Sequence, residues 1–243
     1  MTRQRSRLAL ATFAVAAALA ARVSAQDRPS ARVFEVAAIK PHNPADTGGG
    51  FSFQHGRLTV SNTFFKILVM SAYDVKDFQI FGGPNWIDSE RFDILAQAPD
   101  DSDHRDLNPM LQALLADRFK LALHRETRET SVYSLVLAKN GPKFQRSAPD
   151  AQRSMRMGPD GMSATKMSIH NFADTLSGYV RRSVIDKTGM QGDFDFKFDW
   201  SPQDPNSPSI FTALQEQLGL KLKAEKKPVD FLIIDHAEKP SEN

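Results

Sequence analysis

Cysteine is absent from all 243 residues of the chain, and its absence excludes several kinds of protein. A chain without thiols has no disulfide framework, no thiolate metal site and no cysteine nucleophile. It also offers no cysteine for a lipid anchor. Stability must therefore come from buried apolar side chains, and a chain of this length is long enough to form such a core.

Long apolar runs are also missing, apart from one at the start of the chain. Basic residues precede that run and the small residues Val23-Ser24-Ala25 follow it, which is typical of a secretory signal peptide. The run, from Leu8 to Ala21, is shorter than the ~20 residues that span a bilayer, so a retained anchor is the weaker alternative. We predict a signal peptide over residues 1–25, export to the periplasm or the medium, and no transmembrane segment after cleavage.

Neither sign of charge predominates, because 31 Lys and Arg residues stand against 29 Asp and Glu residues. Four of the basic residues lie within the predicted signal peptide, so the exported part of the chain is slightly acidic. Binding to nucleic acid needs a strongly basic face. The composition therefore predicts no nucleic-acid partner.

Two stretches of the chain repeat the same pattern. A shift of 105 positions brings Gly56 onto Gly161, Thr63 onto Ser168 and Ile80 onto Ile185. Each copy then closes with a Phe-Asp-apolar segment. Internal repetition on this scale predicts a repeated structural unit. We predict an α+β fold of two tandem β-α-β-β-α-β-β repeats, with helices packed on largely antiparallel sheets.

The repeat also predicts how the chain is divided. We expect a first α+β module over residues 26–139, a linker over residues 140–160 and a second α+β module over residues 161–243. The linker contains Pro, Gly, Ser and Arg and has no hydrophobic periodicity. Near the end of each module we predict two short strands joined by a charged turn, Arg125–Glu129 in the first module.

Apolar periodicity predicts the helices and strands of each copy. In the second copy, Ile169, Phe172 and Leu176 recur at helical spacing. The matching helix of the first copy, from Thr63 to Tyr73, has almost no polar face, which predicts burial on both sides or a subunit contact. The strand Asp193–Trp200 places four aromatic rings on one face, and we favour a core role over a sugar-stacking platform.

Motifs of known enzymes are incomplete. Ser163-Ala164-Thr165-Lys166 and Lys187-Thr188-Gly189 match two of the three signatures of penicillin-recognising serine enzymes. The third signature is missing, and Ser163 lies in a predicted strand rather than at the start of a helix, so we interpret the match as coincidence. The zinc-protease motif and the Gly-x-Ser-x-Gly elbow are also absent. The sequence predicts no catalytic residue, no cofactor and no metal site.

Five residues remain as a candidate binding patch. Trp86 follows a Gly-Gly-Pro turn, where its ring either packs onto the core or faces a ligand, and Tyr73 and Arg91 could join it. His124 and His236 end equivalent predicted strands of the two copies. If those strand ends are neighbours, the two histidines could form a polar site; otherwise they are surface groups that contribute little to stability.

Several segments resemble a secreted family of unknown function from soil bacteria, the soil-associated protein family. These segments are Phe34–Pro41, Gly82–Ile94, Leu114–Leu121, Val184–Gly189 and Ile234–Asn243. The resemblance covers almost all of the chain after the signal peptide and implies secretion but no catalytic residue. Some relatives join a similar region to an antibiotic-sensor-type membrane metallopeptidase, which implies extracytoplasmic sensing. The half-repeats resemble, more weakly, the short periplasmic modules of secretins and TonB-dependent receptors, which contact proteins.

Together, the repeat and the resemblance favour an exported binding, sensor or interaction module that is not catalytic. Its expected partner is a protein or a cell-wall-derived ligand, and an oligomer is possible. Two alternatives stay open. One is a secreted hydrolase with an unrecognised Asp/His/Glu site, and the other is a structural component of the cell envelope.

Overall fold

The computed structural model describes residues 32–99, 102–158, 161–201 and 207–241. The predicted signal peptide, residues 1–25, lies outside the described residues. From Arg32 onward the chain forms one compact unit. Within the described ranges, no helix is both long enough and apolar enough to cross a membrane.

The described residues form twelve strands and four α-helices, so the prediction of a mixed fold of helices and strands is confirmed. In chain order they are β1 (Val36–Pro41), β2 (Gly50–Gln54), β3 (Arg57–Phe64), α1 (Phe65–Tyr73), β4 (Ile80–Gly82), β5 (Arg91–Gln97), α2 (Leu107–Arg118), β6 (Ala122–Leu137), β7 (Gln145–Arg146), β8 (Ser154–Gly158), β9 (Gly161–Ser168), α3 (Ile169–Val180), β10 (Val184–Asp186), β11 (Asp193–Asp199), α4 (Ile210–Ala213) and β12 (Leu220–His236). Short 3-10 turns occupy Asp77–Gln79 and Asn85–Asp88, and a π-helical turn, Leu214–Leu218, extends α4.

The strands form three four-stranded sheets. The first outer sheet has the order β1-β5-β3-β2 and the second has the order β7-β11-β9-β8, and both are antiparallel throughout. The central sheet has the order β10-β6-β12-β4. In it β6 and β12 are antiparallel, whereas β10 is parallel to β6 and β4 is parallel to β12. The prediction of largely antiparallel sheets is therefore confirmed, with two short parallel pairs added.

Two apolar cores lie under the outer sheets. The first joins α1, α2 and the first outer sheet, and the second joins α3, α4 and the second outer sheet. In the second core, Phe194, Phe196 and Phe198 are each only 2% exposed, so these rings are core residues and not a sugar-stacking platform. Burying a phenylalanine contributes about 1.5–3 kcal/mol, so this strand alone is a large part of the second core.

The helix predictions differ in how well they match. The apolar stripe of α3 is buried as predicted. Helix α1 buries Phe65, Leu68, Val69 and Ala72 and packs against α2, but Ile67 is 41% exposed. Burial of α1 on all sides is therefore not observed.

The charged segments predicted as turns are instead the middle of two long strands. β6 runs unbroken from Ala122 to Leu137, and β12 runs from Leu220 to His236. The two strands pair over almost their whole length, so each satisfies the backbone hydrogen bonds of the other. Pro228 is tolerated because β12 pairs with β4 only at residues 232–234, which leaves one side of the strand open at Pro228.

The predicted modules and linker take part in shared sheets. β4 and β6 come from the predicted first module and β10 and β12 from the second, and all four lie in the central sheet. Within the predicted linker, β7 and β8 pair with β11 and β9 of the second outer sheet. The module boundaries themselves stay a prediction.

Each outer sheet contains a β-bulge at its centre. The register of β3 against β5 shifts between Val60 and Thr63, and β9 shifts against β11 in the same way. At the bulges, Asn62 and Lys166 take positive φ values of 54° and 57°. This left-handed conformation costs a residue with a β-carbon roughly 1–2 kcal/mol, so neighbouring groups must hold it.

Candidate functional site

Trp86, the first residue of the predicted binding patch, packs against the first core. Its ring lies 5.0 Å from the ring of Phe65, 6.0 Å from that of Phe92 and 6.4 Å from that of Phe119. The indole is only partly buried, but three of its neighbours are fully buried core rings. Of the two roles considered for Trp86, these contacts favour the core.

Tyr73 and Arg91, predicted beside Trp86, have other contacts. Tyr73 ends α1 and packs against the first core, where burial raises the pKa of its phenol despite the nearby charge of Arg125. The Arg91 guanidinium lies 4.0 Å from the ring of Phe64 and donates to Asn62 Oδ1 over 2.8 Å. Arg91 therefore supports the first bulge.

His124 and His236 do lie at the same end of the paired strands β6 and β12. His236 pairs with Ala122, two residues before His124. Each histidine has its own acidic partner: His124 Nδ1 lies 2.9 Å from Asp235 Oδ2, and His236 Nε2 lies 2.9 Å from Glu238 Oε1. All four side chains are about half exposed, which is the geometry of surface ion pairs.

A better-protected histidine was not predicted. The side chain of His42 is only 7% exposed, and its Nδ1 lies 2.8 Å from Asp93 Oδ1. The same carboxylate oxygen accepts the backbone N–H of Asn62 over 2.9 Å. Burial disfavours the charged carboxylate, but the hydrogen bonds from Asn62 and His42 outweigh it and hold the pKa of Asp93 below its ordinary value.

The second outer sheet has the same arrangement with a different side chain. Asp195 Oδ1 accepts the backbone N–H of Lys166 over 3.2 Å, and the hydroxyl of Ser147 donates to it over 2.5 Å. Lys166 Nζ is engaged by the carbonyl of Pro149. The lysine of the Ser-x-x-Lys match is therefore part of a bulge. Within the other match, Thr188 donates to Asp186 in a tight turn, which supports the interpretation of both matches as coincidence.

Metal binding has no support among the residues that the structure describes. No three His, Asp or Glu side chains in these ranges lie close enough together to hold an ion.

One feature with binding geometry is an open cleft beside the central sheet, which we name the arginine–phenylalanine cleft. It has a volume of about 430 Å³. Three arginines and three phenylalanines line it, together with five further residues: Phe78, Phe81, Phe231, Arg128, Arg181, Arg182, Glu129, Thr130, Ser131, Ser183 and Val229. Ligand sites in proteins typically have volumes of ~300–1,000 Å³ and combine apolar walls with a few polar groups.

The apolar wall of the cleft is built around two aromatic rings. The rings of Phe81 and Phe231 meet edge to face with centroids 5.5 Å apart. The Arg128 guanidinium lies 5.4 Å from the first ring and 5.5 Å from the second. Phe81 is 45% exposed, whereas Phe231 is 8% exposed. A large ring is therefore presented to solvent, with a second ring and a cation supporting it.

The three arginines of the cleft differ in their acidic partners. Arg128 is bound by Glu126 over 2.6 Å, and Arg181 by Asp77 over 2.7 Å. Asp77 also binds Lys66, and these two cations, Lys66 foremost, hold the pKa of Asp77 below its ordinary value. Arg182 instead lies 5.5 Å from the ring of Tyr133 and donates to its hydroxyl over 3.4 Å.

Pairing registers show that the opposite end of the central sheet carries related positions with different residues. At one end, Phe81 pairs with Ile233, and Phe231 lies two residues before Ile233 on the same strand. At the other end, Ile185 pairs with Ser134, and Val132 lies two residues before Ser134. The cross-strand neighbours also correspond, Glu126 and Arg128 at one end and Glu225 and Lys227 at the other. All these residues share one face of the sheet, because paired residues and residues two apart point the same way. Aromatic rings and arginine therefore occur at one end, and aliphatic side chains and lysine at the other.

Sequence reasoning missed this cleft because its walls come from four distant segments. Arg128 lies within Arg125–Glu129, the segment that the sequence predicts as a charged turn. One signal was available: Phe81 stands directly before Gly82-Gly83, where a large apolar side chain has little neighbouring chain to bury it.

Comparison with known proteins gives one finding. The family described as "Protein of unknown function (DUF3738)" matches residues 66–237. No curated protein and no solved structure matches the chain significantly. The expectation of a family of unknown function is confirmed at this level. The soil origin, the secretion and the link to a metallopeptidase stay expectations.

Proposed function

Because the chain belongs to the DUF3738 family, whose description gives no function, we propose a function from its geometry. The chain is an exported binding or sensor module without catalytic activity, and its ligand or protein partner binds in the arginine–phenylalanine cleft. The observation that carries the proposal is a half-exposed phenylalanine, Phe81, set against a second ring and an arginine in a cleft of about 430 Å³.

The proposal includes a duplicated architecture. Two repeats account for the matching strand orders of the outer sheets, each with the element order β-β-β-α-β-β-α-β in place of the predicted β-α-β-β-α-β-β. They also account for the two bulges with positive φ at Asn62 and Lys166, and for the two aspartates, Asp93 and Asp195, that bind the bulge amides. On this proposal the cleft lies where the repeats meet, since Phe81 comes from one and Arg182 from the other.

A site between two halves suits a sensor for a physical reason. Arg181 of the second half is bound to Asp77 of the first, and Lys76 of the first half is bound to Asp174 of the second over 2.6 Å. A ligand that contacts both Phe81 and Arg182 would add to these cross-links. Binding would thereby favour one arrangement of the halves over others, which is the requirement for a ligand-driven change.

The test is a fragment screen read by heteronuclear NMR on the protein without its first 25 residues. We expect fragments that bind to shift the signals of Phe81, Arg128 and Arg182 together. Phe81→Ala should remove those shifts because it deletes the exposed wall of the cleft. Ile185→Ala is the matched control, since Ile185 is 37% exposed at the opposite end of the same sheet.

Two results would count against the proposal. One is a screen in which no fragment shifts the cleft signals. The other is a set of binding fragments whose shifts are concentrated at His124 and His236 and are unchanged by Phe81→Ala.

Export is tested separately. We expect the full-length chain, expressed in a Gram-negative host, to be recovered outside the cytoplasm with Gln26 as its first residue. Recovery of the unprocessed chain from the cytoplasm would contradict this part of the proposal.

A secreted hydrolase is the second candidate function. The contact between His124 and Asp235 favours it, because a carboxylate that orients a histidine is part of many hydrolytic sites. If it is correct, hydrolysis of a panel of esters should disappear in both His124→Ala and His236→Ala while the fold is intact. Our leading proposal expects no difference between these variants and the parent protein.

The third candidate is a structural component of the cell envelope. The observation in its favour is that the apolar side chain of Ile67 on helix α1 is exposed, since such a side chain could lie in a subunit contact. Light scattering after size exclusion distinguishes it: a monomer that persists at high concentration contradicts this candidate, and an oligomer that Ile67→Lys dissociates supports it.

A further inference from the structure

We propose that the arginine–phenylalanine cleft selects organic anions, in which one acidic group is joined to an aromatic or other apolar body. This inference rests on the proposed binding function and adds the chemical class of the ligand. It follows from the distribution of charge and of exposed apolar surface along the cleft.

Arg182 is the cation most available to a ligand. Among the residues that the structure describes, no carboxylate lies within ion-pair distance of its guanidinium. Its contacts are the ring and the hydroxyl of Tyr133, and a donor–acceptor distance of 3.4 Å makes the latter a weak hydrogen bond. A guanidinium presents five N–H donors in a planar fork, so most of the donors of Arg182 are open to an acidic group.

The remaining charges do not cancel this preference. Arg128 and Arg181 are each bound to one acidic residue, Asp77 divides its charge between Arg181 and Lys66, and Lys66 also lies 3.3 Å from Asp88. Of the residues that line the cleft, three are arginines and one, Glu129, is acidic. The lining of the cleft therefore has more basic than acidic residues, and Arg182 is its cation without an acidic partner among the described residues, so an acidic ligand would bind there.

The apolar wall determines what must accompany the acidic group. Phe81 is 45% exposed and faces the same cleft as Arg182. An inorganic anion would engage the guanidinium and leave that ring in water. A ligand with a ring or chain attached to its acidic group would cover Phe81 and meet Arg182 together.

The experiment uses two naphthalene dyes of similar shape, of which we expect one to bind tightly and the other weakly. 1-Anilinonaphthalene-8-sulfonate carries a sulfonate, and N-phenyl-1-naphthylamine has the same rings and no charge. Fluorescence titrations of the protein without residues 1–25 give both dissociation constants. We expect the sulfonate dye to bind at least about 10-fold more tightly, because a charge-assisted hydrogen bond is lost in the neutral dye. Inorganic phosphate in millimolar excess should not displace it.

Variants assign the effect to residues. Arg182→Gln should weaken the sulfonate dye about 10-fold and leave the neutral dye within about twofold. Phe81→Ala should weaken both dyes. Lys221→Gln and Ile185→Ala, at the opposite end of the central sheet, are the controls and should change neither constant. Circular dichroism verifies that each variant is folded.

The outcomes separate the two levels of the proposal. If Phe81→Ala weakens both dyes but Arg182→Gln changes neither, the cleft binds ligands and the preference for anions is wrong. If neither substitution affects either dye, the dyes bind elsewhere and the proposed function of the cleft also loses its support. Displacement by inorganic phosphate alone would overturn the requirement for an apolar body.

Discussion

The two outer sheets each place an aspartate opposite a β-bulge, but the side chains around the two aspartates differ. Asp93 binds the amide of Asn62 and meets the nearly buried ring of His42. Asp195 binds the amide of Lys166 and meets the hydroxyl of Ser147. In both sheets the third group comes from the chain just after the edge strand, and its own amide binds a carbonyl at the start of the central strand.

The difference shows which part of the arrangement the backbone requires. A bulge leaves an amide without a partner in the strand ladder, so a carboxylate at that place is needed in both sheets. The third group donates a hydrogen bond to the carboxylate in both sheets, from histidine in one and from serine in the other. The Ser147 hydroxyl also accepts the Lys166 amide over 3.1 Å. The Asp-bulge pair is therefore the constant element, and the donor can vary.

The largest expected effect comes from removing either carboxylate. Asp93→Ala should lower the free energy of unfolding by about 2–3 kcal/mol, because the Asn62 amide and a side-chain donor lose their acceptor. Asp195→Ala should lower it by about 1–2 kcal/mol, because the Lys166 amide keeps the Ser147 hydroxyl as a second acceptor. Urea denaturation measures it. Asp199→Ala, which removes an exposed carboxylate from the same strand as Asp195, is the control and should stay within about 0.5 kcal/mol. If only one of the two substitutions lowers the free energy of unfolding, the two aspartates do not have the same structural role.

A smaller effect is expected from the residues with positive φ. Lys166→Gly should raise the free energy of unfolding by about 0.5–1 kcal/mol, since glycine adopts the left-handed conformation without strain. Lys166→Ala keeps the strain and loses the same side-chain contact, so the difference between the two variants isolates the backbone effect. Asn62→Gly should give no gain, because Asn62 also binds Arg91 and the carbonyl of Gly48. Equal gains at both sites would contradict this reasoning.

The smallest expected effect is a pH dependence that involves Asp93. The pKa of Asp93 is lower in the folded protein than its ordinary value near 3.8. The carboxylate therefore stabilises the fold above that value, and this stabilisation is lost as the pH falls through it toward the lower folded pKa. Denaturation of the parent protein and of Asp93→Asn between about pH 5 and pH 2 should show a shallower loss for the variant. If the stability of the parent protein and of the variant falls in parallel with pH, the pKa of Asp93 is the same in the folded and unfolded states, which would contradict the prediction.

Sequence patterns predicted the outer parts of the fold well. The spacing of Ile169, Phe172 and Leu176 fixed the buried face of α3, and the alternation of Phe194, Phe196 and Phe198 fixed the buried face of β11. In both elements one face is apolar and the other is polar, so the period of the pattern identifies the structure. The apolar pattern can be recognised in the sequence of these elements because only one face of each is buried.

The central sheet could not be predicted in the same way. Residues 125–131 of β6 are all polar or charged, so neither face gives a period, although the segment lacks the Gly, Pro, Asn and Asp that turns require. Its strand conformation is due to pairing with β12, about 100 positions away. The cleft depends on that pairing, since it brings Arg128 beside Phe231. Trp86 was singled out for its size, and its contacts with Phe65 and Phe119 come from packing that no local pattern reports.

The parallel pairs of the central sheet have a consequence for how the chain can be divided. Among the residues that the structure describes, β4 pairs with β12 alone, and β10 pairs with β6 alone. Each half of the polypeptide therefore contributes one strand that pairs with a strand of the other half, so the two halves are interlocked and do not merely lie side by side. A chain cut within residues 147–153 should regain its fold only when both fragments are present, and an isolated copy of either unit would have to complete its sheet by exchange with a second molecule.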